Sequence, residues 1–368
     1  MLAMLASSVI AEQFDPEQRD KAYMSRGRIP LVLTATAYSG GLYGWGIPYL
    51  FEPESNKTRI YVGSEMVTVF GGFALSLLGT KNYQQGPIAS KMIQSGALVG
   101  TLYGIALPAL LAPKKDKAYV GGAMLMTPVG ALVGYRLANR GGLGEGDAEL
   151  INFGSVVGAG YGLAVPYLID IENKSDFTQA RIYAGSAMVG IPIGALAFNE
   201  LSQRTGIGKG RARLIELGTC MGAYYGFNFV WMSDPGKARP YIGSMIATLP
   251  VGTAISYLLT RDKEYANSRS WLIILGTILG DLSGRGFAYL FGADTFRETS
   301  IGAMVMTPVG TLTSVMLTRN SPEMQANAFE SSPLMDVSSK LALLGTSYLI
   351  SRSGKEMPIY LEIYRAAF

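Results

Sequence analysis

Apolar residues fall into runs of about 18–22, separated by short polar segments. The stretch 96–136, GALVGTLYGIALPALLAPKKDKAYVGGAMLMTPVGALVGYR, shows the pattern. An apolar run passes through Pro108 and closes at a loop with three lysines. A second run then carries Tyr119, Gly122, Pro128 and Gly130. Runs of this length suit a helix able to cross a hydrocarbon core, whereas a strand of some twenty residues without a turn would be exceptional. Glycines four apart fit one face of either element. A barrel strand, however, would alternate polarity, and Leu98 and Leu102 share the parity of Gly96, Gly100 and Gly104. The pattern predicts an all-α chain of paired helices.

Laid over one another, the pairs form an internal repeat of about 60 residues. In the first half the glycine columns are Gly40/Gly44, Gly96/Gly100/Gly104, Gly154/Gly158/Gly162, Gly218/Gly222/Gly226 and Gly276/Gly280/Gly284. Such spacing lines one helix face with small residues and predicts glycine-zipper packing. Tyr43, Tyr103, Tyr161 and Tyr225 precede the last glycine of their units, with Ser283 in the fifth, and read as core or interfacial rings. In the second half Pro128, Pro192, Pro250 and Pro308 recur at intervals of 64, 58 and 58 residues, with Phe70 in the first unit. Prolines inside helices imply repeated kinks whose freed backbone groups need partners, and the neighbouring Thr127 and Thr307 are candidates.

The resulting boundaries are a signal-peptide tail over 1–11, a polar lead-in over 12–30, and repeats over 31–79, 80–140, 141–204, 205–262 and 263–319. A linker (320–335) and a sixth half-repeat with a short C-terminal strand (336–368) follow. MLAMLASSVIA ends in the residues a signal peptidase reads, with cleavage expected after Ala11. Asp147 is expected to cap the helix after GGLGEG, and Ser270 or Asn267 the helix before WLIILG.

Composition sharpens this reading in two ways. Charged residues are 16% of the 368, below the roughly 25% of soluble domains, and 46 glycines stand at regular intervals rather than in linkers. Mean hydropathy is +0.24. Both features favour membrane association. Against simple spanning, the fifth unit holds Asp281 and Arg285 one turn apart, and the first holds Glu65. Ionisable groups at such positions mark either a functional site within the membrane or, for the i,i+4 pair, a structural surface contact. Lys and Arg number 10 in loops within units and 11 in loops between them, so charge sets no orientation.

Candidate chemistry is scarce. The chain has no His, which removes imidazole metal sites, Ser-His-Asp triads and the usual near-neutral acid–base group. The single Cys220 excludes an internal disulfide and reads as a buried thiol. GLGEGDAE lacks the Lys-Ser/Thr ending of a phosphate loop, and no carboxylates pair at metal-ligand spacing. The net charge of +4 is spread over loops without interleaved aromatics, which argues against nucleic acid.

No cofactor, metal or catalytic residue is therefore expected. The leading expectation is a non-enzymatic structural or assembly protein of the bacterial cell envelope, contacting lipid and protein partners in a larger assembly or homo-oligomer. The alternatives are a multi-span transporter or channel using Asp281 and Arg285, and a soluble exported helical-repeat binding module.

Overall fold

The computed structural model describes residues 27–51, 57–81, 86–111, 116–169, 175–203, 206–233, 236–261 and 263–319. The expected signal-peptide tail, residues 12–26 of the lead-in, the linker, the half-repeat and the C-terminal strand lie outside them. Among the described residues every regular element is helical. The first run is not one α-helix: α1 (Arg28–Tyr38) passes through a π-helical segment, Ser39–Gly44, into α2 (Trp45–Phe51). Pro48 cannot donate to the carbonyl of Gly44, and Gly40–Gly41 yields easily, so the wider turn falls where the backbone is least held.

There follow α3 (Lys57–Gly79), α4 (Pro87–Leu111), α5 (Asp116–Asn139), α6 (Glu145–Leu168) and α7 (Asp176–Gln203). The last four are α8 (Lys209–Ser233), α9 (Ala238–Thr260), α10 (Asn267–Leu290) and α11 (Phe296–Leu317). Counting α1 to α2 as one, ten helices stand in pairs among the described residues. Helix starts follow local chemistry. Thr295 accepts from the Glu298 amide at the start of α11, and the Glu298 carboxylate accepts from the Thr295 amide. Asp147 is not the cap residue expected: Gly144 holds that place in extended geometry, and Asp147, three residues on, accepts its N–H at 2.7 Å. Ala266 precedes α10, so Asn267 and Ser270 already lie inside the helix.

Contacts divide the chain into two units, and the division falls within α7. The first unit holds α1 to α5 and α7 as far as Ile191; its helices pack as α1–α2 against α3 and α4 against α5. The second holds α6, α7 from Pro192, and α8 to α11, with α8 against α9 and α10 against α11. Partners run antiparallel. A Cβ on Gly96, Gly100 or Gly104 would meet Gly130, Met126 or Gly122 in turn.

The first helix of a pair is the more buried. α4, α6, α8 and α10 bury small residues along one side, whereas α3 buries none. Large apolar side chains face outward on the second helices, among them Val67, Phe70, Leu125, Leu132, Leu196, Leu258 and Leu312. Among the described residues seven helices are long and apolar enough to cross a membrane: α3, α4, α5, α6, α7 from Thr178, α9 and α11. This fits a membrane-associated protein. Of the other long helices, α8 carries Lys209, Arg211, Arg213 and Glu216, and α10 carries Arg269, Asp281 and Arg285.

Candidate functional site

The close approach of paired helices is the geometry from which everything else in the interior follows. A Cβ added to Gly130, Gly194, Gly252 or Gly310 would lie 2.7, 2.7, 2.8 or 2.7 Å from the Cα of Gly100, Gly158, Gly222 or Gly280. Such distances leave room for backbone and nothing more. Gly154 and Gly218 face Gly194 and Gly252, Gly226 faces Ser244, and Gly276 and Gly284 face Gly310 and Gly302. Gly162 is buried. In the first pair Gly40 and Gly44 meet Val69 and Thr68. Across the same interfaces threonine hydroxyls bond in couples: Thr101–Thr127 at 2.7 Å, Thr219–Thr253 at 2.7 Å and Thr277–Thr311 at 2.8 Å.

Each second helix from α5 onward contains proline at the expected place: Pro128, Pro192, Pro250 and Pro308. Proline supplies no N–H, so the carbonyl four residues earlier loses its helical partner. Those carbonyls belong to Met124, Met188, Ile246 and Met304. Each receives a tyrosine hydroxyl from the preceding pair: Tyr43 to Met124 at 2.7 Å, Tyr103 to Met188 at 2.6 Å, Tyr161 to Ile246 at 2.7 Å and Tyr225 to Met304 at 2.8 Å. The first two bonds lie in the first unit and the last two in the second. Thr127 and Thr307 do not fill this role. Their hydroxyls donate to Ala123 and Ala303 of their own helices, because a side chain beside proline reaches its own preceding turn most easily.

Helix ends are tied by a second set of contacts. Arg28 donates to Thr80 at 3.2 Å, Arg211 to Thr260 at 3.4 Å and Arg269 to Thr318 at 3.3 Å, each joining the start of a pair to its finish. Ser202 donates to Asp147 in the same sense. In the second unit Arg213 links neighbours: it lies 3.8 Å from the Glu149 carboxylate, donates to Asn267 and stacks 4.7 Å from Trp271. Ser270 donates to the carbonyl of Gly210 at 2.7 Å.

Asp281 and Arg285 pair on α10, at 3.0 Å from Nε to the carboxylate. Tyr224 of α8 donates to the same carboxylate, and Arg285 reaches Ser300 of α11 at 3.4 Å while its plane lies 4.7 Å from Phe296. Phe296 in turn meets Trp231, and Trp231 and Phe227 meet Tyr241. All polar groups of this cluster are thus engaged with one another, which makes it a clip between helices more than an open binding site. Glu65 is exposed on α3, and the Cα of this residue packs by Gly44. Cys220 is exposed rather than buried: Thr219 faces α9, which turns its neighbour outward. Among the described residues no three His, Cys, Asp or Glu side chains gather at a metal-binding distance.

Sequence reading missed the tyrosines as hydrogen-bond donors and the contacts at helix ends. The signal was available in the columns themselves. The unit without the proline is the first, and the unit without the tyrosine is the last. Comparison with protein-family models, curated proteins and solved structures finds no match to this chain.

Proposed function

We propose that this chain is a non-enzymatic, membrane-associated scaffold of the bacterial cell envelope, built as five tandem α-hairpins zipped through glycine faces. The observation that carries the reading is the set of four tyrosine–carbonyl bonds. They use a polar side chain that recurs in the first helices to fix each hairpin on the next. In hydrocarbon a carbonyl freed by proline has no water to turn to, so the bond is worth most there. The outward apolar side chains of the second helices suit contact with lipid or with partner subunits of a larger assembly.

A transporter reading is favoured by one observation, the ionic cluster of Tyr224, Asp281 and Arg285. Its internal satisfaction supports a structural clip instead. Washing membranes with alkaline carbonate tests the main reading: the chain is expected to stay with the lipid pellet. Release into the supernatant would favour a soluble exported module and sink the membrane scaffold. Flux through reconstituted vesicles that disappears in Asp281→Asn and Arg285→Gln would establish the transporter.

A further inference from the structure

We infer that the π-helical turn over Ser39–Gly44 takes up one residue inserted in the first helix run, and so keeps in register two ties that an unbroken α-helix of this length could not make together. The turn, both ties and the helices they join lie inside the first unit. Such a device works alike in lipid and in water, so it stands apart from the membrane reading above.

The two ties are Arg28 to Thr80 and Tyr43 to Met124. The first closes the hairpin, and the second holds it on α5. The α8–α9 hairpin makes the same two contacts with one residue fewer between the donors: Tyr225 follows Arg211 by 14 positions, whereas Tyr43 follows Arg28 by 15. Tyr161 likewise follows Asp147, which is tied to Ser202, by 14. Packing between the ties locates the extra residue. A Cβ on Gly252 would meet the carbonyl of Gly218 and the Cα of Gly222, and one on Gly130 would meet those of Gly96 and Gly100. A Cβ on Gly72, at the same place in α3, would meet the carbonyl of Ala35 and the side chain of Ser39. Ser39, not Gly40, therefore holds the crossing place of Gly100 and Gly222. At the next contact the alignment has moved by one, since Gly44 faces the Thr68 side chain as Gly226 faces that of Thr248. Five positions separate Ser39 from Gly44, where four separate Gly222 from Gly226.

In an unbroken α-helix one extra residue would turn all that follows by about 100°. Tyr43 would then leave the Met124 carbonyl, and Gly46, where a Cβ would meet Met124 and Val120, would turn away from α5. A π-helical turn closes hydrogen bonds five residues apart instead of four, and so absorbs one residue without that rotation. It spans Ser39–Gly44, the interval that the contacts give. Gly41 lies inside it with open space where a Cβ would stand, so nothing packs on the extra residue.

The test compares two single-residue deletions in the full-length chain. Removing Gly41 is expected to leave plain α-helix with both ties kept, and a melting temperature within about 3 °C of the parent. Gly160 also has open space around it, but lies in unbroken α6 between Asp147 and Tyr161. Removing it is expected to break the bond to Ile246 and to lower melting by more than about 8 °C, or to prevent folding. Tyr43→Phe should lower the melting temperature equally with and without Gly41, which shows that the bond survives the deletion. The inference is overturned if the Gly41 deletion fails to fold, melts as low as the Gly160 deletion, or no longer responds to Tyr43→Phe. Independently, Gly72→Ala is expected to melt lower and Ser39→Gly to recover most of that loss; no recovery would place another residue at the crossing and overturn the register.

Discussion

Tyr161 and Pro250 form the most informative pair to perturb. Tyr161→Phe removes one oxygen and leaves the Ile246 carbonyl without a partner, since Pro250 offers no N–H. A buried carbonyl left unmade costs about 1–3 kcal/mol, and interhelical hydrogen bonds in membranes fall toward the lower end of that range, about 1 kcal/mol. Pro250→Ala restores an N–H at position 250, so the carbonyl closes its own helical bond. In that background the hydroxyl has no orphan to satisfy, and Tyr161→Phe should cost less than about 0.5 kcal/mol. The coupling energy of the double-mutant cycle is then about 1 kcal/mol. Reversible unfolding in mixed micelles, followed by far-ultraviolet circular dichroism with all four chains, measures it. Equal cost of Tyr161→Phe in both backgrounds would refute the reasoning, because the hydroxyl would then be serving something other than the proline.

Three further outcomes follow from the same geometry. Gly222→Ala should destabilise by about 3 kcal/mol, the upper end of overpacking, because its Cβ would meet the backbone of Thr248 and Gly252; Gly63→Ala, with open space around it, should stabilise by up to about 1 kcal/mol, and the two are compared by urea midpoint. Thr253→Val removes the hydroxyl that meets Thr219 at 2.7 Å and should cost about 1 kcal/mol, read as a lowered melting temperature with helix content unchanged. Asp147→Ala deletes the acceptor of both the Gly144 amide and the Ser202 hydroxyl; a loss of about 2 kcal/mol is expected, accompanied by faster amide exchange at the start of α6.

Much of this architecture is legible from residue order alone. The run lengths and the period-four glycines identify helices in pairs, because both signals depend only on local geometry. The proline at 128 is equally plain, but the donor to the carbonyl it frees is not: Tyr43 lies 81 residues from Met124, and no local rule links a ring in one helix to a carbonyl in another. The π-helical turn over Ser39–Gly44 escapes for a related reason. Gly-Gly and a proline permit it, while packing against α3 selects it. Cys220 stands exposed against expectation because an apolar run with glycines has two faces, and only the Thr219–Thr253 contact shows which one is inward. Asp281 and Arg285 show as a pair in the sequence, yet Tyr224, which completes them, belongs to another helix and stands outside the repeated column that marks Tyr225.

The direction of the tyrosine bonds has a consequence for biosynthesis. In all four cases the donor precedes the acceptor in the chain: 43 before 124, 103 before 188, 161 before 246 and 225 before 304. A ribosome therefore always delivers the hydroxyl before the carbonyl that needs it. If the helices enter lipid as proposed above, each proline-bearing helix meets a partner already in place, and the growing chain does not carry a bare carbonyl while waiting for its complement. The opposite polarity would leave each freed carbonyl unpaired until the next pair of helices had been made.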